Sequence, residues 1–243
     1  MPIRKALLTT AAAALVSGLY ATQADAEVIV GTTITGVNTT DTDTDGAGTL
    51  DSLDVTGVAW TSNGVTAPSS TLAFTGTATN FLVGGASANF INPNTNIGSG
   101  GTWATSVDLV LDANTEIELT QFELNWVATN NSGAAQNSGR TAQWTVDIVG
   151  STSGSLGPIT LSDTGATALG NNELLFNLTT FATLNTSETY TLNLSVVEQP
   201  GQNGFFARLE DFELTGDITV VPEPGSLALM GIGGLLCLKR RRR

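Results

Sequence analysis

Six carboxylates crowd two stretches of this 243-residue chain: Glu116, Glu118 and Glu123 in one, Glu210, Asp211 and Glu213 in the other. Paired carboxylates can divide acid and base work in glycoside hydrolysis, one protonating the leaving group while the other attacks or activates water. Glu116 and Glu118 are two residues apart, which on a strand puts them on one face about 7 Å from each other. That spacing matches no glycosidase motif, and alternating acid on an outward strand face is what a soluble β-sandwich displays in any case. A cleft holding two facing carboxylates, one with a raised pKa, would mark the hydrolytic reading. Other chemistries are excluded by composition. The chain has no histidine, so a Ser-His-Asp triad, a Cys-His pair and a His-ligated metal are all out of reach. Its one cysteine, Cys237, and its two lysines, Lys5 and Lys239, lie near the ends, so thiolate and Schiff-base mechanisms are absent from the body.

Binding residues are easier to find. Asp41, Asp43 and Asp45 alternate and are followed by Gly46, with Asp51 and Asp54 further on. Acids at positions 1, 3 and 5 with glycine at 6 let alternate side chains converge on one hard cation while the glycine makes the turn. This resembles the first half of the calcium loops of extracellular proteins. The second half departs from a full EF-hand loop, because position 12 is Ser52 rather than a bidentate Glu, so Asp51 or Asp54 would have to substitute. The same stretch reads more simply as a solvated acidic loop. Four tryptophans offer flat apolar faces of the kind that stack on sugar rings. Trp126 and Trp144 fall on the apolar parity of their segments and are expected in the core. Trp60 precedes the turn Ser62-Asn63-Gly64, and Trp103 follows a Gly-rich loop, so these two are the candidate carbohydrate platforms.

The C-terminal 23 residues carry a different kind of information. Val221, Pro222, Glu223, Pro224 and Gly225 precede an uncharged run over 226–238, and Lys239, Arg240, Arg241, Arg242 and Arg243 close the chain. Pro222 and Pro224 lack backbone donors and cannot continue a strand ladder. As a helix the apolar run covers about 20 Å, short of a ~30 Å hydrocarbon core unless flanking residues and snorkelling arginines narrow the gap. The cationic cluster is expected to stay cytoplasmic.

Motif, apolar span and basic terminus in that order resemble the PEP-CTERM sorting domain of bacterial exopolysaccharide-associated proteins. The resemblance implies recognition by an exosortase-type membrane enzyme, removal of the tail, and release to the cell surface or extracellular matrix. It also implies a transient inner-membrane anchor. The segment 207–216, ending in Thr-Gly, looks like the last strand of the jelly-roll ectodomains often joined to such tails.

At the other end, residues 1–26 read as a secretory signal peptide for the Sec export machinery. Arg4 and Lys5 form the charged region, 6–20 the apolar region, and Ala24 and Ala26 the small-x-small cleavage site. Between Glu27 and Val221 the only cations are Arg140 and Arg208, against 20 acids. Such a surface repels phosphate backbones, so nucleic acid is excluded as a partner. With Cys237 alone in the tail the exported body has no disulfide and must be held by its core. Cys237 is either a palmitoylation site or, more simply, a small apolar residue.

That body, 27–217, reads as a single antiparallel β-sandwich, all-β and jelly-roll-like, followed by the sorting segment 218–243 with its short hydrophobic helix. Period-2 alternation marks strands at 27–35, 50–60, 71–77, 102–111, 116–129, 140–150, 159–162, 174–181, 188–198 and 204–214. Within 116–129 the apolar parity changes between Leu119 and Phe122, which predicts a β-bulge or a break near Thr120 and Gln121. Residues 130–139 read as a hairpin loop, 199–201 as a turn, and 38–49 and 84–101 as longer gaps. Residues 218–221 either end the fold or begin the linker.

Three functions follow. The first is a non-enzymatic surface or matrix protein, and the second a module binding extracellular polysaccharide, with calcium as its one candidate cofactor. The third, and most remote, is the two-carboxylate glycosidase. Solvent exposure of Trp60 or Trp103 favours the second, and burial of all four tryptophans the first.

Overall fold

The computed structural model describes residues 26–33, 38–42, 52–76, 80–83, 91–94, 102–129, 140–165, 173–198 and 206–221. The expected signal peptide, its Ala24–Ala26 site and the segment from Pro222 to Arg243 lie outside the described residues. In chain order the strands are β1 (Glu27–Thr33), β2 (Asn38–Thr42), β3 (Ser52–Thr56), β4 (Ala59–Ser62), β5 (Thr71–Gly76), β6 (Asn80–Val83), β7 (Ile91–Asn94) and β8 (Thr102–Leu109). They continue as β9 (Thr115–Thr129), β10 (Arg140–Gly150), β11 (Gly154–Ser155), β12 (Ile159–Gly165), β13 (Glu173–Asn177), β14 (Leu184–Asn185), β15 (Tyr190–Glu198) and β16 (Phe206–Val220).

These strands form two eight-stranded sheets, all of whose pairings are antiparallel. The first runs β13-β9-β16-β1-β4, with β14 on β9 and the β6–β7 pair on β16. The second runs β11-β10-β15-β8-β5-β3-β2, with β12 on β10. The chain is therefore an all-β sandwich, as its alternation predicts.

Alternation is what builds the core. Trp103, Val107 and Leu109 on β8, Ala142, Trp144, Val146 and Ile148 on β10, and Tyr190, Leu192, Leu194 and Val196 on β15 are all buried. Successive side chains on a strand point to opposite faces, so every second residue is delivered to the interior. Trp144 touches Trp103 and Trp126 with ring centroids 5.4 and 5.6 Å apart, and Phe74 meets Trp103 at 5.5 Å. Tilted and edge-on rings at this range are the arrangements aromatic pairs favour.

The parity change in β9 is a bulge. Against β16, Thr215 pairs with Gln121 and Gly216 with Leu119, leaving Thr120 as the extra residue. That slip lets Ile117 and Leu119 on one side of it, and Phe122, Leu124 and Trp126 on the other, all reach the core. Gly216 faces the bulge so closely that a Cβ there would lie 2.7 Å from the Glu118 carbonyl oxygen.

Several expectations need correction. The single strand expected over 50–60 is two, β3 and β4, in different sheets. Gly57, with φ 81°, provides the left-handed step at which the chain leaves one sheet for the other. The connection 130–139 is not a hairpin loop, because β9 and β10 belong to opposite sheets. The turn expected at 199–201 lies outside the described residues, in the connection by which the chain passes from β15 to β16 in the other sheet. Local turn signals report that the chain reverses, not which sheet it enters next. The long gaps contain β2 and β7, and the strand begun at Leu174 stops at Asn177, whose side-chain oxygen accepts hydrogen bonds from Thr179 N and Oγ1 at 3.0 and 2.7 Å. Residues 218–220 end the fold: β16 runs through Val220, its last residues paired with Ile117, Glu116 and Thr115 of β9.

Candidate functional site

Trp103 is not a carbohydrate platform. It is 1 % exposed, enclosed by Phe74 and Trp144, and its indole N–H crosses the sandwich to donate to the Ala207 carbonyl at 3.1 Å. The Gly-rich loop before it suggests a rim, but β8 lies between β15 and β5 in the middle of its sheet, and Trp103 falls on the inward parity.

Trp60 differs. It stands on β4, the edge strand of the other sheet, and is only partly buried. One side of its ring leans on Phe212, centroids 5.8 Å apart, and its N–H donates to the Ser69 carbonyl at 2.8 Å, which fixes the ring plane. The opening it lines comes from a split in the second sheet. β5 pairs with β8 only over Phe74–Gly76, so its first half and Ser106–Leu109 diverge. Thr105 Oγ1, donating to the Ala73 carbonyl at 2.8 Å, closes the inner end of the split. The resulting cleft, about 130 Å³, is lined by Trp60, Ser69, Thr71, Ser106 and Asp108 above Leu72 and Val107. Asp108 is steadied by the Thr191 hydroxyl, which donates to its Oδ1 at 3.1 Å.

Glu123, Asp211 and Glu213 meet on the outer face of the first sheet, where β9, β16 and β1 lie side by side. Glu123 is directly opposite Glu213, and Gly31 is opposite Glu213 on the other side. Together with Asn125, Thr61 and Phe212 they line a shallow cleft of about 180 Å³. Asn125 Nδ2 donates to Asp211 Oδ1 at 2.7 Å. The Glu123 carboxyl is pushed above its ordinary range, first by partial burial and then by the charges of Glu173, Glu213 and Asp211, with an opposing contribution from Asn125. Two facing carboxylates and a raised pKa satisfy the electrostatic half of the hydrolytic criterion. For the geometric half, a pair must flank the scissile bond; here the two stand on neighbouring strands of one sheet face and line one shallow cleft. Glu116 and Glu118 are exposed on the same outer face, and Glu118 lines a further polar depression with Asp217, Thr179 and Phe181. Glu210 sits at a second irregularity of β16, between the pairs of Leu209 and Asp211.

Of the candidate calcium ligands, Asp41 lies in β2, paired with Leu53 of β3. Asp43, Asp45 and Asp51 lie outside the described residues, and among the described residues no group of three or more acids is placed to hold a metal ion. Of the two body cations, Arg208 is buried in β16, and burial lowers its pKa to about 10, so it stays charged at neutral pH but lines none of these clefts.

The route to the tail is short. β16 is flanked by β9 and β1 up to Gly216 and by β9 alone to Val220, and Val221 N donates to the Asn114 carbonyl at 2.7 Å one residue past its end. Sequence reasoning missed Ser69, Thr71, Ser106 and Asp108. The outward parity of Ser106 and Asp108 is legible beside the apolar Val107 and Leu109, but only the split between β5 and β8 brings them to Trp60.

A PEP-CTERM protein-sorting motif matches residues 220–243. No curated protein matches the chain. Among solved structures the chain resembles TmCBM61 in complex with β-1,4-galactotriose, at 9 % identity and a TM-score of 0.32, over 75 % of this chain and 89 % of that one. It also resembles the family 11 carbohydrate-binding module of the cellulase Lic26A-Cel5E of Clostridium thermocellum, at 11 % identity and a TM-score of 0.33, over 73 % and 94 %. A DUF4465 family protein from Bacteroides caccae matches at 11 % identity and a TM-score of 0.25, over 80 % and 94 %. Likenesses this distant carry no argument about what the chain binds.

Proposed function

We propose that this chain is a non-enzymatic exported protein, carried across the membrane by the Sec machinery and held there briefly by its C-terminal tail. An exosortase-type membrane enzyme then removes the tail and releases the sandwich to the cell surface or extracellular matrix, in association with extracellular polysaccharide. The observation that carries this reading is the sorting motif at 220–243, which begins on the last residue of β16. The matched motif thus starts within the folded body, at the end of β16, which pairs there with β9.

The test replaces Pro222, Glu223 and Pro224 together by alanine in the full chain, expressed in a host with exosortase-type sorting. Wild type is expected at the surface or in the medium, and the variant in the membrane fraction. Equal release of both would refute the sorting reading.

Polysaccharide binding by the sandwich itself is the second reading, and the half-open Trp60 beside its cleft favours it. An apolar ring flanked by hydroxyls and a single carboxylate suits sugar, whose faces are apolar and whose rim is polar. Calcium dependence of that binding would point to Asp41, Asp43, Asp45 and Asp51, and is checked by repeating the retention assay in millimolar calcium and in chelator.

A further inference from the structure

We propose that the cleft where β5 parts from β8 is a subsite for one pyranose ring of a neutral glycan. Trp60 is its platform, and Asp108, Ser106 and Thr71 form its hydrogen-bonding wall. This specifies the second reading above and rests on it.

Four features of the cleft support the assignment. Trp60 is the one tryptophan of four that is not fully enclosed. Its ring is held from behind by Phe212 and from the edge by the Ser69 carbonyl, so the platform is rigid before anything lands on it. A rigid aromatic surface gives contact area at little entropic cost, which is why such rings dominate binding energetics. The wall is polar where a sugar is polar. Ser106 and Asp108 lie on the outward parity of β8, exposed, with the buried Val107 between them. Asp108 Oδ1 is occupied by Thr191, which orients the carboxylate and leaves its second oxygen for a sugar hydroxyl. A carboxylate accepting from a hydroxyl makes a charge-assisted bond, stronger than one between neutral groups.

The small volume, about 130 Å³, fits part of a single ring and not a long chain seated throughout. Charge then selects among glycans. No cation lines the cleft, Asp108 lies in it, and the body carries 20 acids against Arg140 and Arg208. Polymers bearing carboxylate or sulfate would meet repulsion from both the cleft and the surrounding surface. The Glu123 cleft is a weaker candidate, because it is a patch of acids with no exposed aromatic platform and no polar group shown to await a ligand.

The experiment uses the full chain in mild detergent, as wild type, Trp60→Ala, Trp60→Phe and Asp108→Asn. Retention is measured by affinity electrophoresis in gels containing the native extracellular polysaccharide, dextran, galactan or laminarin, with alginate and chitosan as anionic and cationic counterparts. Wild type should be retarded by at least one neutral polymer and should show a change in tryptophan fluorescence on titration with it. Trp60→Ala should weaken retention by about tenfold or more, and Trp60→Phe less, since a smaller ring remains. Asp108→Asn should weaken it by several-fold and keep the fluorescence response. Circular dichroism identical to wild type shows that each variant is folded, and Trp60→Phe keeps the test valid if the alanine variant is not. Retention of Trp60→Ala equal to wild type would overturn the site while leaving polysaccharide binding intact. Retention of wild type on chitosan or alginate alone would overturn the neutral-glycan assignment. No retention of wild type on any polymer would overturn the binding reading and this site with it, and would leave the sorting reading untouched.

Discussion

Trp60 and Trp103 stand on opposite sheets of one sandwich, and only one of them keeps part of its ring in solvent. Trp103 belongs to β8, flanked by β15 and β5, and its N–H is satisfied across the core by the Ala207 carbonyl. Trp60 belongs to β4 at a sheet edge, and its N–H is satisfied locally by Ser69, nine residues away. The first ties two sheets together, whereas the second is tied to its own loop and leaves a groove beside it. Position in the sheet order, more than the loop next to a residue, thus decides whether an aromatic side chain is enclosed or left half-open.

Truncation should separate the two. Trp103→Ala removes a fully enclosed ring and should cost about 3–5 kcal/mol of stability, read by chemical denaturation. Trp60→Ala should cost clearly less, since part of its surface is already wet. Equal losses would break the comparison.

The next effect tests the other tightly closed region, the β9 bulge within the first sheet. Gly216→Ala places a methyl group against the Glu118 backbone, which cannot swing away as a side chain would. Overpacking of this kind is expected to cost about 1–3 kcal/mol, seen as a lower denaturation midpoint. An unchanged midpoint would mean that the bulge relaxes around the added methyl group.

Smaller changes are expected on the solvated rim. Glu188 Oε2 accepts from Thr152 N, Thr152 Oγ1 and Ser153 N at 2.9, 2.7 and 2.9 Å, and these bonds lower its pKa from 4.5 to about 2. A carboxyl depressed in the folded state stabilises the fold above its unfolded pKa and loses that contribution as pH falls through the folded one. Stability should therefore drop between about pH 4.5 and pH 2, and Glu188→Gln should flatten that part of the profile. The smallest effect belongs to the acidic cleft. Glu123 is raised, so its charged form is disfavoured in the fold, and its contribution should improve as pH falls through the folded pKa. Glu123→Gln should raise stability at neutral pH by about 0.5 kcal/mol or less and leave glycan retention unchanged. A loss of retention in this variant would move the binding site from the Trp60 cleft to the outer sheet face.

Much of this was legible in the alternation of apolar residues. β8, β10 and β15 follow their period-2 pattern residue by residue, and the parity change at Thr120 locates the bulge. Sheet membership was not legible. Nothing local distinguishes Leu53 on β3 from Trp60 on β4 as members of different sheets, although Gly57 between them makes the change of direction possible. The same limit hid the cleft. Trp60 was a candidate from its place before a turn, but Asp108 is 48 positions away and meets it only because β5 and β8 diverge. Carboxylates behave in the opposite way: Glu123, Asp211 and Glu213 stand out by type alone, and antiparallel pairing of β9 with β16 brings them onto one sheet face.

The tail is proposed above all as a removable address, and the intact mass of the protein recovered from the cell surface tests that directly. The expected surface form begins at Glu27 and lacks Lys239, Arg240, Arg241, Arg242 and Arg243. A surface form whose mass still includes those five residues would contradict it.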